Sequence, residues 1–155
     1  MASIFQASTD AHFNQARELF VEYAKSLDID LAFQKFDDEL NNIPGKYGVL
    51  VGGCLLLAKD GQQIIGCVAI RRIDEHICEM KRLYVRPEWK GQGIGKRLAM
   101  TIIEEAKICG YRFLRLDTLS TMKAAISLYE SLGFYQIGPY IFNPIEGAMY
   151  LELAL

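Results

Sequence analysis

The stretch from Glu79 to Lys96, EMKRLYVRPEWKGQGIGK, most constrains what this chain can become. An apolar, β-prone segment ends at Val85, and a turn containing Pro87 follows. A loop with Gly91, Gly93 and Gly95 then opens directly into an amphipathic helical pattern. A strand, a glycine loop and a helix start in this order place bare backbone N–H groups in front of a ligand. The first-turn amides, from Gly93 to Lys96, carry partial positive charge and lack intrahelical partners. Lys90, Lys96 and Arg97 add cations. The ligand class indicated is a polyanion such as a pyrophosphate. The loop is not a GxxxxGK[ST] phosphate loop. It also fits a dinucleotide fingerprint poorly, because the strands before it read as hairpin-connected.

Around this stretch the expected elements follow from periodicity and punctuation. A short strand covers 3–8. A helix from Ala11 to Leu27 follows, capped by Ser8, Thr9 or Asp10, and a second runs from Gln34 to Asn41. Strands at Cys54–Lys59 and Gln63–Arg72 are joined at Asp60-Gly61, a hairpin signal. A strand at Ile77–Val85 precedes the helix Gly93–Cys109. A strand at Phe113–Asp117, a helix at Met122–Leu132 and strands at Phe134–Ile141 and Ala148–Leu155 complete the order. This is an α/β pattern: a mixed sheet with helices on both faces, in a single domain spanning 1–155.

Composition narrows the function classes. The formal net charge of −2 gives no electrostatic case for nucleic acid or acidic membranes. The longest apolar run, Val49 to Ala58, is too short to span a bilayer. The N-terminus lacks the basic and long apolar regions of a secretory signal. Cys54, Cys67, Cys78 and Cys109 form no CxxC pair and sit among apolar residues, so they read as buried small side chains in a reducing cytosol, with no metal expected.

Two segments together resemble the GCN5-related N-acetyltransferase (GNAT) superfamily. The loop Lys90-Gly91-Gln92-Gly93-Ile94-Gly95 matches its Arg/Gln-x-x-Gly-x-Gly/Ala signature, with Lys90 at the Arg or Gln position. The segment Met122 to Phe134, MKAAISLYESLGF, matches Asn-x-x-Ala-x-x-Leu-Tyr-x-x-x-Gly-Phe, with Met122 at the Asn position. The match is good over about residues 50–155 and looks like a small bacterial-type member.

The resemblance implies a mostly antiparallel sheet in which two neighbouring strands splay, here Ile77–Val85 and Arg112–Asp117. Acetyl-CoA would lie in that gap as co-substrate. Backbone groups of Leu83, Tyr84 and Val85 would pair with its pantetheine arm, and the loop from Lys90 and Gly91 through Gln92, Gly93, Ile94 and Gly95 to Lys96 would hold its pyrophosphate. The implied reaction is direct acetyl transfer to a primary amine of an amino-acid-like small molecule or a peptide. An acyl-CoA-binding domain without turnover is the alternative. Tyr129 would be the acid that protonates the leaving thiolate, and a backbone N–H near Leu83 would stabilise the oxyanion. Glu79 or Asp117, or else a water chain, would deprotonate the amine. Strand alternation places Glu79, Lys81, Leu83 and Val85 on one face unless a bulge intervenes. Tyr23, Arg82, Tyr140, Asn143 and Tyr150 are the candidates for the acceptor side. Arg82 would either clamp a substrate carboxylate or pair with Glu79, Asp117 or Glu152. Phe33 and Phe36 cap the core or line the acceptor side, and Trp89 anchors the turn before the loop. Members of the superfamily are often dimers, and the apolar tail AMYLELAL would complete a sheet within or between chains.

Overall fold

The computed structural model describes residues 2–28 and 30–155; the side chain of Phe33 lies outside what is described. Seven strands form one sheet: β1 (Ser3–Gln6), β2 (Cys54–Asp60), β3 (Gln63–Arg72), β4 (Ile77–Val85), β5 (Phe113–Leu119), β6 (Tyr135–Ile137) and β7 (Ala148–Ala154). Among the described residues four α-helices accompany them: α1 (Asp10–Leu27), α2 (Phe36–Leu40), α3 (Ile94–Ile108) and α4 (Lys123–Ser131). The spatial order is β1-β2-β3-β4-β5-β7-β6. Every neighbouring pair is antiparallel except β4 and β5.

Local chemistry explains the element ends. The Thr9 hydroxyl accepts from the His12 amide at 3.1 Å, and His12 Nδ1 accepts from the Thr9 amide at 3.3 Å. This is a capping box with histidine in the usual Glu position, so Thr9 is the cap of α1. The expected helix 34–41 is broken, because Lys35 takes a left-handed conformation at φ 55°. A turn of 3₁₀ helix at Ala32–Gln34 precedes it, and only Phe36–Leu40 is α-helical. The last hairpin also differs. β6 ends at Ile137, and the chain then leaves the sheet until β7. The tail pairs within the chain, with β7 seated between β5 and β6.

Two apolar cores lie on opposite faces of the sheet. On one, Leu98, Ile102 and Ala106 of α3 pack on Val68, Ile70, Leu114 and Leu151. On the other, Leu19 and Phe20 of α1 pack on Leu55, Leu57, Cys67 and Tyr47. Cys54, Cys67 and Cys78 are buried thiols, whereas Cys109, expected to be buried, is exposed just beyond α3.

Two irregularities shape the centre of the sheet. β4 and β5 pair in parallel only at Ile77–Phe113, Cys78–Leu114 and Glu79–Arg115, and then separate. β4 also carries a bulge against β3, where the register shifts between Cys67–Tyr84 and Ala69–Lys81. Arg82 sits in this bulge with φ 63°, an uncommon conformation for a residue with a side chain. The bulge overturns the simple alternation. Tyr84 joins the α1 face, while Val85 crosses to the α3 core and Leu83 packs against that core.

Candidate active site

Where β4 and β5 part, a cleft opens through the sheet. Its β4 wall is Met80, Lys81, Arg82 and Leu83, and its β5 wall runs from Leu116 to Leu119. On the α3 and α4 side it meets Met122, Ala125 and Tyr129. On the α1 side it meets Tyr23, Leu27, Leu31 and Gln34, with Asn143 and Ile145 from the loop between β6 and β7.

Tyr129 is brought to the cleft by α4 and rests against Phe134 at 5.5 Å between rings. Burial, reinforced by the nearby Tyr23 and Asp117, holds its phenol well above the usual tyrosine range. It therefore keeps its proton at neutral pH. Asp117 lines the opposite side, and its Oδ2 accepts from Asn143 Nδ2 at 2.9 Å. Asn143 reaches this position because its own Oδ1 accepts from the Ile145 amide, which pins the loop.

Glu79 lies behind this layer and is fully buried. Arg71 Nε donates to it at 2.7 Å and the Tyr140 hydroxyl at 2.6 Å, with Lys81 Nζ 3.6 Å away. Burial alone would raise its carboxyl. The charges of Lys81 and Arg71 and the two hydrogen bonds outweigh that and hold it below the ordinary range. Glu79 is thus an ionised, saturated hub that does not line the cleft, a poor fit to the expected base.

Arg82 forms a buried fork on Glu39, at 2.8 and 2.9 Å, and stacks over Phe36 and Tyr23. None of the three carboxylates expected to pair with it does so; the partner is Glu39 of α2. Of the two roles expected of Arg82, substrate clamp or ion pair, the ion pair is the one present, made with Glu39. Of the expected acceptor-side residues, Tyr23, Arg82 and Asn143 line the cleft. Tyr140 and Tyr150 stack on each other at 5.6 Å and stand outside it. The Tyr150 hydroxyl donates to the Ile141 carbonyl, bracing the loop that carries Asn143.

The glycine loop leads away from the same cleft. Leu83 lines the cleft, Tyr84 and Val85 continue β4, and Trp89 fastens the turn by donating to Asp60 at 3.0 Å. Gly93 is the N-cap of α3 at φ 78°, and no side chain caps the helix. A Cβ at Gly91 or Gly93 would meet nothing within 4 Å, so these positions are open as well as left-handed. Lys90, Gln92 and Lys96 are exposed around them, and Ile94 is buried beneath. Uncapped amides beside open backbone and cations suit a pyrophosphate. The unpaired stretch of β4 leading to them suits the extended arm of a coenzyme A thioester.

The chain matches the acetyltransferase (GNAT) family over residues 13–134. An uncharacterized N-acetyltransferase of Schizosaccharomyces pombe is 41% identical over 88% of this chain and 85% of its own length. The chain belongs to the GNAT acetyltransferase family. With relatives named N-acetyltransferases over most of its length, it is an N-acetyltransferase. The match begins inside α1, upstream of the region where the motifs alone carried the resemblance. Among solved structures, an acetyltransferase from Streptococcus agalactiae shares the fold with a TM-score of 0.81 at 23% identity, covering 99% of this chain and 98% of that one. A second, from Salmonella typhimurium, holds its cofactor acetyl-CoA; it has a TM-score of 0.74 at 20% identity and covers 99% of this chain and 93% of that one.

Within this GNAT scaffold, Lys81 and Gln34 are among the cleft residues not expected from the sequence. Strand alternation already placed Lys81 beside Glu79. Burial pulls its ammonium below the ordinary lysine range, against the opposing pull of Glu79. Gln34 lies on the irregular α1–α2 connection, where no periodic signal exists. Among the described residues no helix is long and apolar enough to cross a membrane, and no group of three or more His, Cys, Asp or Glu is placed to hold a metal.

Proposed function

We propose that this chain is an acetyl-CoA-dependent N-acetyltransferase that moves an acetyl group directly to a primary amine of an amino-acid-like small molecule or a peptide. It works as a single domain in the cytoplasm. When bound, acetyl-CoA supplies the activated acetyl thioester. Leu83, Tyr84 and Val85 offer the backbone along which its arm runs, and the amides from Gln92 to Lys96 receive its pyrophosphate, with Lys90 close by. A free alkylamine is mostly protonated at neutral pH, with a pKa of about 10.4. Asp117, the carboxylate that lines the cleft, takes that proton. The β4 backbone N–H near Leu83 faces the developing oxyanion. Tyr129 gives its proton to the sulfur as the carbon–sulfur bond breaks, so that coenzyme A leaves as the neutral thiol.

One observation carries this reading. β4 and β5 lose their pairing beyond Glu79 and Arg115, and Tyr129 and Asp117 line the cleft so formed. The test has two parts. Acetyl-CoA, but not NAD or ATP, should raise the melting temperature. A screen of amines should then release free thiol with the wild-type chain and much less with Tyr129→Phe. No melting shift at millimolar acetyl-CoA would sink the proposal.

A further inference from the structure

Among the described residues, the α1 side of the cleft carries one more cation than carboxylates. Around it, Arg71, Lys81, Arg82 and Lys46 share the three carboxylates Glu39, Glu79 and Asp117. Glu39 is taken by the Arg82 fork and by Lys46 at 3.3 Å. Glu79 is taken by Arg71 and Tyr140. Asp117 is taken by Asn143. What remains for Lys81 is Glu79 at 3.6 Å and Asp117 at 3.9 Å, both longer than a hydrogen bond. Its side chain is only 4% exposed, and it lines the cleft. A buried ammonium whose ion pairs are both longer than a hydrogen bond is incompletely compensated and gains from a closer anion.

A second observation points to the same chamber. Gln34 lines it as well as the neighbouring hollow beside Glu39 and Lys46, and its Oε1 is buried without a hydrogen-bond partner. The chamber therefore offers a cation and a carboxylate side by side, with a buried amide at its edge. Leu27, Leu31 and Ile145 supply apolar wall.

We infer that the acceptor is an amine that also carries a carboxylate, as a free α-amino acid does, and that Lys81 holds that carboxylate. The inference rests on the transferase reading above and deepens it. In an α-amino acid one carbon separates the amine from the carboxylate. That spacing matches a site whose cation and proton-accepting carboxylate stand 3.9 Å apart. With the amine at Asp117, the carboxylate falls at Lys81. A peptide's N-terminal amine has a neutral carbonyl in that place and leaves the ammonium unrelieved. The apolar wall favours an apolar side chain.

The experiment compares matched acceptors: alanine, leucine, methionine and phenylalanine, their amides, and the corresponding amines lacking the carboxylate. Thiol release is followed with acetyl-CoA, and KM and kcat are read separately. The wild-type chain should favour at least one amino acid over its amide and its amine by roughly 10- to 100-fold in KM, the worth of one charge-assisted hydrogen bond. Lys81→Gln should collapse that preference to near unity, and Lys81→Arg should restore it. The inference is overturned if wild type prefers amide or amine, if it accepts none of the panel while binding acetyl-CoA, or if Lys81→Gln slows all three classes alike. A melting shift with acetyl-CoA checks that each variant is folded. Its absence in wild type removes the transferase reading itself, a different failure from the loss of acceptor preference.

Discussion

Tyr129 and Glu79 show how neighbours send two buried ionisable side chains to opposite fates. Burial, with Tyr23 and Asp117 adding to it, raises the Tyr129 phenol, which stays protonated. Tyr129→Phe should lower thiol release by about 10²- to 10⁴-fold, the usual range for a positioned acid, while acetyl-CoA still raises the melting temperature. Glu79 is held ionised by Lys81, Arg71 and Tyr140, and Glu39 by Arg82 and Lys46, each against the opposing pull of burial. Both folded values lie below the unfolded one. Their contribution to stability is therefore complete above about pH 4.3, the ordinary glutamate value, and is lost as pH falls through the lower folded values. Urea midpoints measured down this acid limb should drop steeply in wild type and less steeply in Glu79→Gln. An equal slope in both would mean that Glu79 does not titrate below its unfolded value.

At the scale of elements, the bulge in β4 and the N-terminus of α3 each make a distinct demand. The bulge directs Arg82 toward α2, where it meets Glu39 with both partners buried. Removing one partner strands the other, so Arg82→Met should cost about 3 kcal/mol in urea unfolding, and Glu39→Gln on top of it should recover part of that loss. Additive losses would show that the pair is not coupled. At Gly93 the left-handed N-cap is open to a side chain but strained by one. Gly93→Ala should cost roughly 1–2 kcal/mol and weaken acetyl-CoA binding. Elements written in nearest neighbours were legible beforehand: the Asp60-Gly61 hairpin, the glycine loop, and the α4 segment bearing Tyr129. What escaped was long-range or irregular. Glu39 and Arg82 are 43 positions apart in the chain, and no local pattern pairs them. The bulge inserts one residue where alternation predicts none, which sent Val85 to the opposite face from the one expected. The loop beyond Ile137 reads as strand by composition, yet it is pulled off the sheet by Tyr140 on Glu79 and Asn143 on Asp117. The site was therefore half legible. Its donor side, Tyr129 and the glycine loop, was written in motifs. Its acceptor side, Lys81 and Gln34 above all, is assembled from separate elements.

For the molecule as a whole, two cores of unequal character clamp the sheet, and the cleft lies between them. Ligand binding should register globally: acetyl-CoA at ~100 times its dissociation constant should add about 2.7 kcal/mol to unfolding. The sheet itself consists of an antiparallel block from β1 to β4 and another from β5 to β6, joined by three parallel pairs. That seam stands at one end of the cleft, as a pivot stands at one end of a lever. Any rotation about Cys78 and Leu114 would be magnified toward Leu83 and Leu119, where the strands are farthest from the joint. The aperture offered to an acceptor would then follow the twist at three residue pairs that do not line it. Substitutions at the pivot would regrade acceptor size while leaving every wall residue in place.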